Sequence, residues 1–243
     1  MDSLRKAWRP AAAELIATFA FVFVGVGAAG TSVRLAQPMG DAAVVLIGVA
    51  HGLGIMVGVA AVGRISGAHM NPAVSLAAWF TGNLGTPRFV AYVVAQLAGA
   101  LLAALVLDRA FGIDGLGVHT VAVGTATGFG LEAVLTFLLV FAVFAMAIDS
   151  RVNATLAPLV IGTVIAVDHF IAVTLTGASM NPARSFGPAL VHGEWADHWV
   201  YWLGPIAGGV LAAVVYVQVF GDPILKKRAA APFRAPEETS EGA

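Results

Sequence analysis

Six apolar runs, at about 11–33, 42–63, 88–109, 127–148, 155–175 and 198–220, make up most of this chain. A helix needs about 20 mostly apolar residues to cross the hydrocarbon core of a bilayer, and each run meets that length. In lipid every backbone N–H and C=O must find a partner inside the protein, so isolated apolar runs of this length are helices. Composition agrees: 59% of the 243 residues are hydrophobic and 11% are charged, against about 25% charged in a soluble domain. Too little charge is present to coat a water-exposed globule. The chain therefore reads as an all-α polytopic membrane protein with six transmembrane helices. The first run is too long for a cleavable signal and leads straight into further spans, so no signal peptide is expected.

Charge sets the orientation. With the N-terminus inside, Arg5, Lys6, Arg9, Arg64, Arg88, Arg151, Lys226, Lys227, Arg228 and Arg234 fall on the inner side, and only Arg34 and Arg109 fall outside. That bias predicts cytoplasmic termini for a multi-pass protein of the plasma (inner) membrane. Residues 1–9 read as a cytoplasmic N-terminus, 10–220 as a single transmembrane domain, and the polar stretch 221–243 as a disordered cytoplasmic tail. A net charge of −1 argues against a nucleic-acid partner, and the absence of cysteine excludes disulfides and any mercurial block through a thiol. The Ala/Gly-rich composition and short termini point to a bacterial source.

An internal repeat organises the chain. Ser66-Gly67-Ala68-His69-Met70-Asn71-Pro72-Ala73-Val74-Ser75 recurs 110 residues later as Thr176-Gly177-Ala178-Ser179-Met180-Asn181-Pro182-Ala183-Arg184-Ser185. Glu14 with Thr18-Phe19 recurs as Glu132 with Thr136-Phe137, and Ala98-Gly99-Ala100 as Ala207-Gly208-Gly209. The repeats cover about 10–110 and 125–220. Each holds three full spans, an odd number, so the second copy must be inverted in the membrane. Inverted repeats with broken helices put their site near the midplane, where the copies meet.

The short apolar segments near 71–80 and 181–191 cannot span, and read as re-entrant half-helices. Asn is a strong N-cap and Pro is favoured at the first helical position, so Asn71-Pro72 and Asn181-Pro182 each start one. Inversion brings the two starts together from opposite leaflets. Each N-terminus carries roughly half a positive charge. The preceding stretches, with Gly67, Ala68, His69 and with Gly177, Ser179, would offer a row of backbone carbonyls, tolerable at membrane depth only along a wet cavity. A single Asn-Pro would read as a kink or loop start. Two copies in matching repeats, each before a short apolar helix, do not.

The paired motifs Asn71-Pro72-Ala73 and Asn181-Pro182-Ala183, with the repeat, helix count and charge bias, resemble the aquaporin, or major intrinsic protein, family over about residues 10–220. The resemblance implies a passive water channel, without cofactor, metal or enzymatic activity, assembled as a homotetramer with one pore per subunit. It implies a selectivity filter of four residues. Arg184, three after Asn181 and so about 4.5 Å further along the same helix face, supplies the charge; the alternative is an arginine snorkelling to the headgroups. His169, twelve before Asn181, and Ala178, three before it, supply two more positions. The fourth, twenty before Asn71, is His51, where water-selective members usually carry Phe. A His there resembles the plant tonoplast branch, some of which passes ammonia, so ammonia, hydrogen peroxide or glycerol is the alternative solute. The alternative for His51 itself is a buried histidine bonded to a helix carbonyl. Ser185, Ala189 and Tyr201-Trp202 resemble water-type rather than glycerol-type members.

The resemblance also gives Glu14 and Glu132 a structural role, each holding one loop through its backbone; the competing reading is a proton relay. Asp168 is expected to point away from the lumen, and the His69 ring to brace its loop. His119 lies in the outer connection, where it is either an extra filter residue, as in the tonoplast branch, or a solvated loop residue. A coupled transporter would need ion-binding groups at the midplane, where this sequence offers Asn amides and helix N-termini. A purely structural junction protein would not need the full motif set.

Overall fold

The computed structural model describes residues 2–35, 40 and 42–230. Its elements are α1 (Asp2–Arg34), α2 (Ala42–Ser66), α3 (Pro72–Phe80), α4 (Thr86–Phe111), α5 (Thr125–Val143), α6 (Ala157–Ala172), α7 (Pro182–His192), α8 (Val200–Val215) and α9 (Pro223–Ala229). Wider π-type turns, Phe144–Ile148 and Tyr216–Phe220, extend α5 and α8. Six segments are long and apolar enough to cross a membrane, and α3 and α7, at 9 and 11 residues, are the expected half-helices. No strand occurs among the described residues.

The pseudo-symmetry follows from glycine. A Cβ on Gly99 would overlap the Leu15 carbonyl, and one on Gly208 would overlap the Ala133 carbonyl. These equivalent glycines therefore let α4 lie backbone-to-backbone on α1, and α8 on α5, the close approach that small residues permit between spans. At the repeat junction Gly52 and Gly162 are reciprocal: a Cβ on either would come within 2.5 or 2.6 Å of the other's carbonyl oxygen, so α2 and α6 cross in contact.

The half-helices pack across the repeats. α7 lies mainly on α4, with Gly187 against the Ala100 carbonyl, and α3 lies mainly on α8, with the Ala73 carbonyl facing Gly209. Met70 and Met180, at the ends of the two loops, are fully buried, whereas Val57, Val94, Val134, Leu159 and Leu211 stand outward and more than two-fifths exposed, a surface suited to lipid.

α1 is helical from Asp2, so it runs through the segment expected to be the cytoplasmic N-terminus. One expectation needs correction. The tail expected to be disordered from 221 instead opens with α9. Asp222 caps it, accepting from the Leu225 amide at 2.7 Å, Leu225 is buried, and Arg228 donates to Asn83 Oδ1 at 3.1 Å. Capping and one buried side chain order these seven residues, about two turns, against the bundle. The disorder expected of 231–243 lies outside the described residues.

Candidate functional site

The two Asn-Pro starts fold as their residue types require. Asn71 and Asn181 are extended, at φ −155° and −151°, and each side-chain oxygen caps its helix, accepting from Ala73 N at 2.8 Å and from Ala183 N at 3.0 Å. The amide nitrogens cross over: Asn71 Nδ2 donates to the Met180 carbonyl, and Asn181 Nδ2 to the Met70 carbonyl, each at 2.7 Å. An Asn amide has two N–H donors, and the crossed bond uses one.

Both loops carry non-glycine residues in the left-handed region: Ala68 and Met70 at φ 51°, Ala178 and Met180 at φ 52°, beside Gly67 at 90° and Gly177 at 87°. Such positions cost about 1 kcal/mol or more each and persist only where the surroundings over-determine them. Two buried carboxylates do this. Glu14 accepts from His69 N at 2.9 Å and Met70 N at 2.6 Å; Glu132 accepts from Ser179 N at 2.9 Å and Met180 N at 2.7 Å. Gln96 Nε2 on Glu14 (2.8 Å) and Thr176 Oγ1 on Glu132 (2.7 Å) complete the braces. Tyr92 donates to the Ser66 carbonyl at 2.7 Å, and Tyr201 to the Thr176 carbonyl at 2.9 Å. Sequence reasoning missed Gln96 and the tyrosine pair. The tyrosines lie 109 positions apart, so the repeat offset held a signal for them. The His69 ring braces its loop through Ser75 Oγ at 3.1 Å.

A narrow cavity runs beside the crossed asparagines, about 30 Å³ in volume. About 10–15 Å³ of such space is needed to hold one water, so the cavity has room for water. Its wall is apolar, from residues such as Phe21, Ile55, Val143 and Ile161, and one polar stripe crosses it: Gly67, Ala68, His69, Asn71, Ser179, Asn181 and His169. Gly177 is not among the lining residues of this cavity; it lies against the His119 ring. Asp168 is buried, does not line the cavity, and leaves Oδ2 without a partner among the described residues.

Arg184, His51, His169 and Ala178 are all buried, and the first three come together. The imidazoles of His51 and His169 stack with centroids 4.2 Å apart. Each sets its Nδ1 2.8 Å from the carbonyl four residues earlier, Ile47 and Ile165. A carbonyl can only accept, so Nδ1 carries the proton and Nε2 of each neutral ring is an acceptor. Arg184 Nε donates to His51 Nε2 at 3.3 Å, and Arg184 Nη1 donates to the Gly117 carbonyl at 2.5 Å. His169 Nε2 has no protein partner among the described residues. Arg184 is therefore not snorkelling outward. His51 does bond a helix carbonyl, as the alternative required, but its other nitrogen meets the arginine. Gly25 on α1, which sequence reasoning missed, leaves room for the His51 ring; a Cβ there would overlap it.

His119 is not a solvated loop residue. The connection between α4 and α5 folds inward, burying the ring against Tyr201, with Nδ1 2.8 Å from Ser185 Oγ, beside Arg184 in sequence. Burial, and then the Arg184 charge, push its pKa well below the ordinary imidazole value, so it is neutral at physiological pH.

Two facing half-helices inside six spans, with a polar thread through an apolar wall, define a membrane channel, and comparison with known proteins places it. The family model for the major intrinsic proteins matches residues 2–216. Aquaporin TIP4-4 of Zea mays is 48% identical over 218 residues, covering 87% of this chain and 86% of its own. Aquaporin-4 of Mus musculus is 41% identical over 242 residues, covering 97% of this chain and 75% of its own. The X-ray structure of the aquaglyceroporin from Plasmodium falciparum superposes with a TM-score of 0.77 over 90% of this chain and 98% of that one; at 20% identity it shows the fold alone. The chain belongs to the major intrinsic protein family, the aquaporin channels: an integral multi-pass membrane channel, not an enzyme.

Proposed function

We propose that the chain is a passive water channel that excludes protons and ions. The observation that carries this reading is the crossed pair of asparagines, each capping a half-helix whose positive end faces the other. A water passing them accepts from the asparagine amides on one side and meets apolar wall on the other. A proton or cation meets two helix N-termini and, further out, the Arg184 guanidinium, and is repelled. The carbonyl stripe of Gly67, Ala68, His69 and Ser179 gives a water file its acceptors. Arg184, His51, His169 and Ala178 form the filter in this reading, and Glu14 and Glu132 are its scaffolding. Each carboxylate accepts from two backbone amides and one side chain, which suits a brace better than a proton relay.

A second reading has its own observation. His51 stands where a larger apolar ring would narrow the path, and its neutral imidazole, stacked on His169, makes a polar wall. That favours ammonia as an additional solute; hydrogen peroxide and glycerol are weaker candidates. The resemblance to aquaporins further supports a homotetramer, and the Lys/Arg bias supports cytoplasmic termini in an inner, or plasma, membrane.

Stopped-flow light scattering on proteoliposomes tests both. Fast, low-activation-energy shrinkage in an impermeant osmolyte, with no glycerol entry, is the expected result, and an ammonium gradient decides the second solute. Shrinkage at the bare-lipid rate with rapid solute entry would overturn the water assignment.

A further inference from the structure

We propose that the outward groove between the N-terminal halves of α1 and α4 is a binding site for one anionic phospholipid. The two helices touch at Gly99, which meets Leu15 and Phe19 of α1, and part below it. The gap is lined by Ala11, Ala12, Leu15, Val90, Ala91 and Val94, among others, and encloses about 480 Å³ with almost no polar surface. Its wall is largely alanine, so the space is left by small side chains rather than by any break in the helices.

The lower end of the groove is different in kind. Trp8 lies on the same helix face as Ala11, Ala12 and Leu15, at spacings of three, four and seven, and is 61% exposed. The Arg9 guanidinium stands 5.5 Å from the Trp8 ring. Arg88 lies one turn below Ala91 on α4 and is likewise exposed. Neither arginine has a carboxylate partner among the described residues, and no acidic side chain lines the groove. α1 and α4 run parallel, so both arginines stand at the same membrane face, the one the Lys/Arg bias makes cytoplasmic.

An apolar slot with two arginines that have no carboxylate partner among the described residues, and an interfacial tryptophan at its polar end, matches a phospholipid in both parts. The slot takes an acyl chain, and the arginines take a phosphodiester whose headgroup brings no positive charge. A zwitterionic headgroup would set its own cation beside them. Basic pockets between spans on the cytoplasmic side recognise anionic headgroups in this manner.

The test is native mass spectrometry of the full-length protein in detergent, titrated with phosphatidylglycerol or phosphatidylcholine of identical chains. The expected result is preferential retention of phosphatidylglycerol. Each arginine near the surface contributes about 1 kcal/mol of attraction, so R9Q/R88Q should weaken phosphatidylglycerol retention roughly 20- to 30-fold. Phosphatidylcholine should be little changed. Ala12→Leu with Ala91→Leu, which fills the slot and leaves the charge intact, should weaken both lipids. Water conduction of both variants, unchanged, reports that they fold. Equal retention of phosphatidylglycerol by wild type and R9Q/R88Q would overturn the proposal. So would competition by inorganic phosphate as strong as that by lipid, which would make it a headgroup site without the slot. A smaller oligomer on filling the slot would assign the groove to a subunit interface and overturn it as well.

Discussion

Arg184 hands one N–H to His51 across 3.3 Å and another to the Gly117 carbonyl at 2.5 Å, so the guanidinium is strung between α2 and the α4–α5 connection. His51 is thus a partner of the arginine as well as of the His169 ring on which it stacks. A phenylalanine at that position could wall but could not accept.

His51→Phe is expected to lose this bond and to narrow the path. A hydrogen bond to a charged group contributes about 1.5–3 kcal/mol, so the variant should unfold at a lower temperature. Ammonia conductance should fall relative to water, read in the same proteoliposomes. An unchanged ratio of the two fluxes would take His51 off the conduction path.

Arg184→Val removes the fixed charge while the crossed asparagines stay. Vesicles loaded with a pH-sensitive dye and given a proton or cation gradient should become leaky. Ion exclusion identical to wild type would remove Arg184 from that role.

Glu132→Ala leaves Ser179 N, Met180 N and Thr176 Oγ1 without their acceptor. Each stranded buried donor costs about 1–3 kcal/mol, so the protein should lose most of its thermal stability in detergent or fail to accumulate. Glu132→Gln keeps a carbonyl acceptor and should be milder. A Glu132→Gln protein with wild-type melting but no conduction would instead favour a proton relay.

Gly208→Ala places a methyl where the Ala133 carbonyl now sits, and Gly99→Ala does the same against Leu15. Overpacking of this kind costs about 1–3 kcal/mol. Both variants should melt earlier than wild type, and equal melting would show that the helices can part without penalty.

Just beyond α5, Arg151 ion-pairs with Asp149, whose carboxylate also accepts from Tyr216 at 2.8 Å. The Arg151 bond holds the Asp149 carboxyl well below the usual carboxylate range. A depressed folded pKa contributes stability that is present above the unfolded value of about 3.9 and is lost as pH falls below it. Melting should therefore be flat in this respect from pH 8 to about 5 and drop below about 4. In Asp149→Asn that acid-dependent drop should shrink; an unchanged acid limb would assign it to other carboxylates.

The spans and the half-helix starts were legible in the sequence, whereas the meeting of His51, His169 and Arg184 was expected only from the family resemblance. Apolar length, Asn-Pro capping and repetition at a fixed offset are local or periodic signals. The burial of His119 was not legible, because it depends on how a glycine-rich connection folds back and on Ser185, 66 residues away. Gly25 left no trace for a similar reason: its missing side chain matters only because His51 swings into that place. α9 was missed because composition describes the tail as a whole, whereas one cap and one buried leucine order seven residues of it.

Each half-helix rests mainly on a span of the other repeat, and each asparagine amide is tied to the other repeat's loop. A chain of which only the first repeat has been made therefore lacks the contacts that hold its half-helix in place. α3 still lacks the span that will hold it, and Asn71 lacks the carbonyl it will seize. Chains that end before Met180 are expected to conduct nothing, because they lack both the carbonyl that Asn71 holds and the span on which α3 rests.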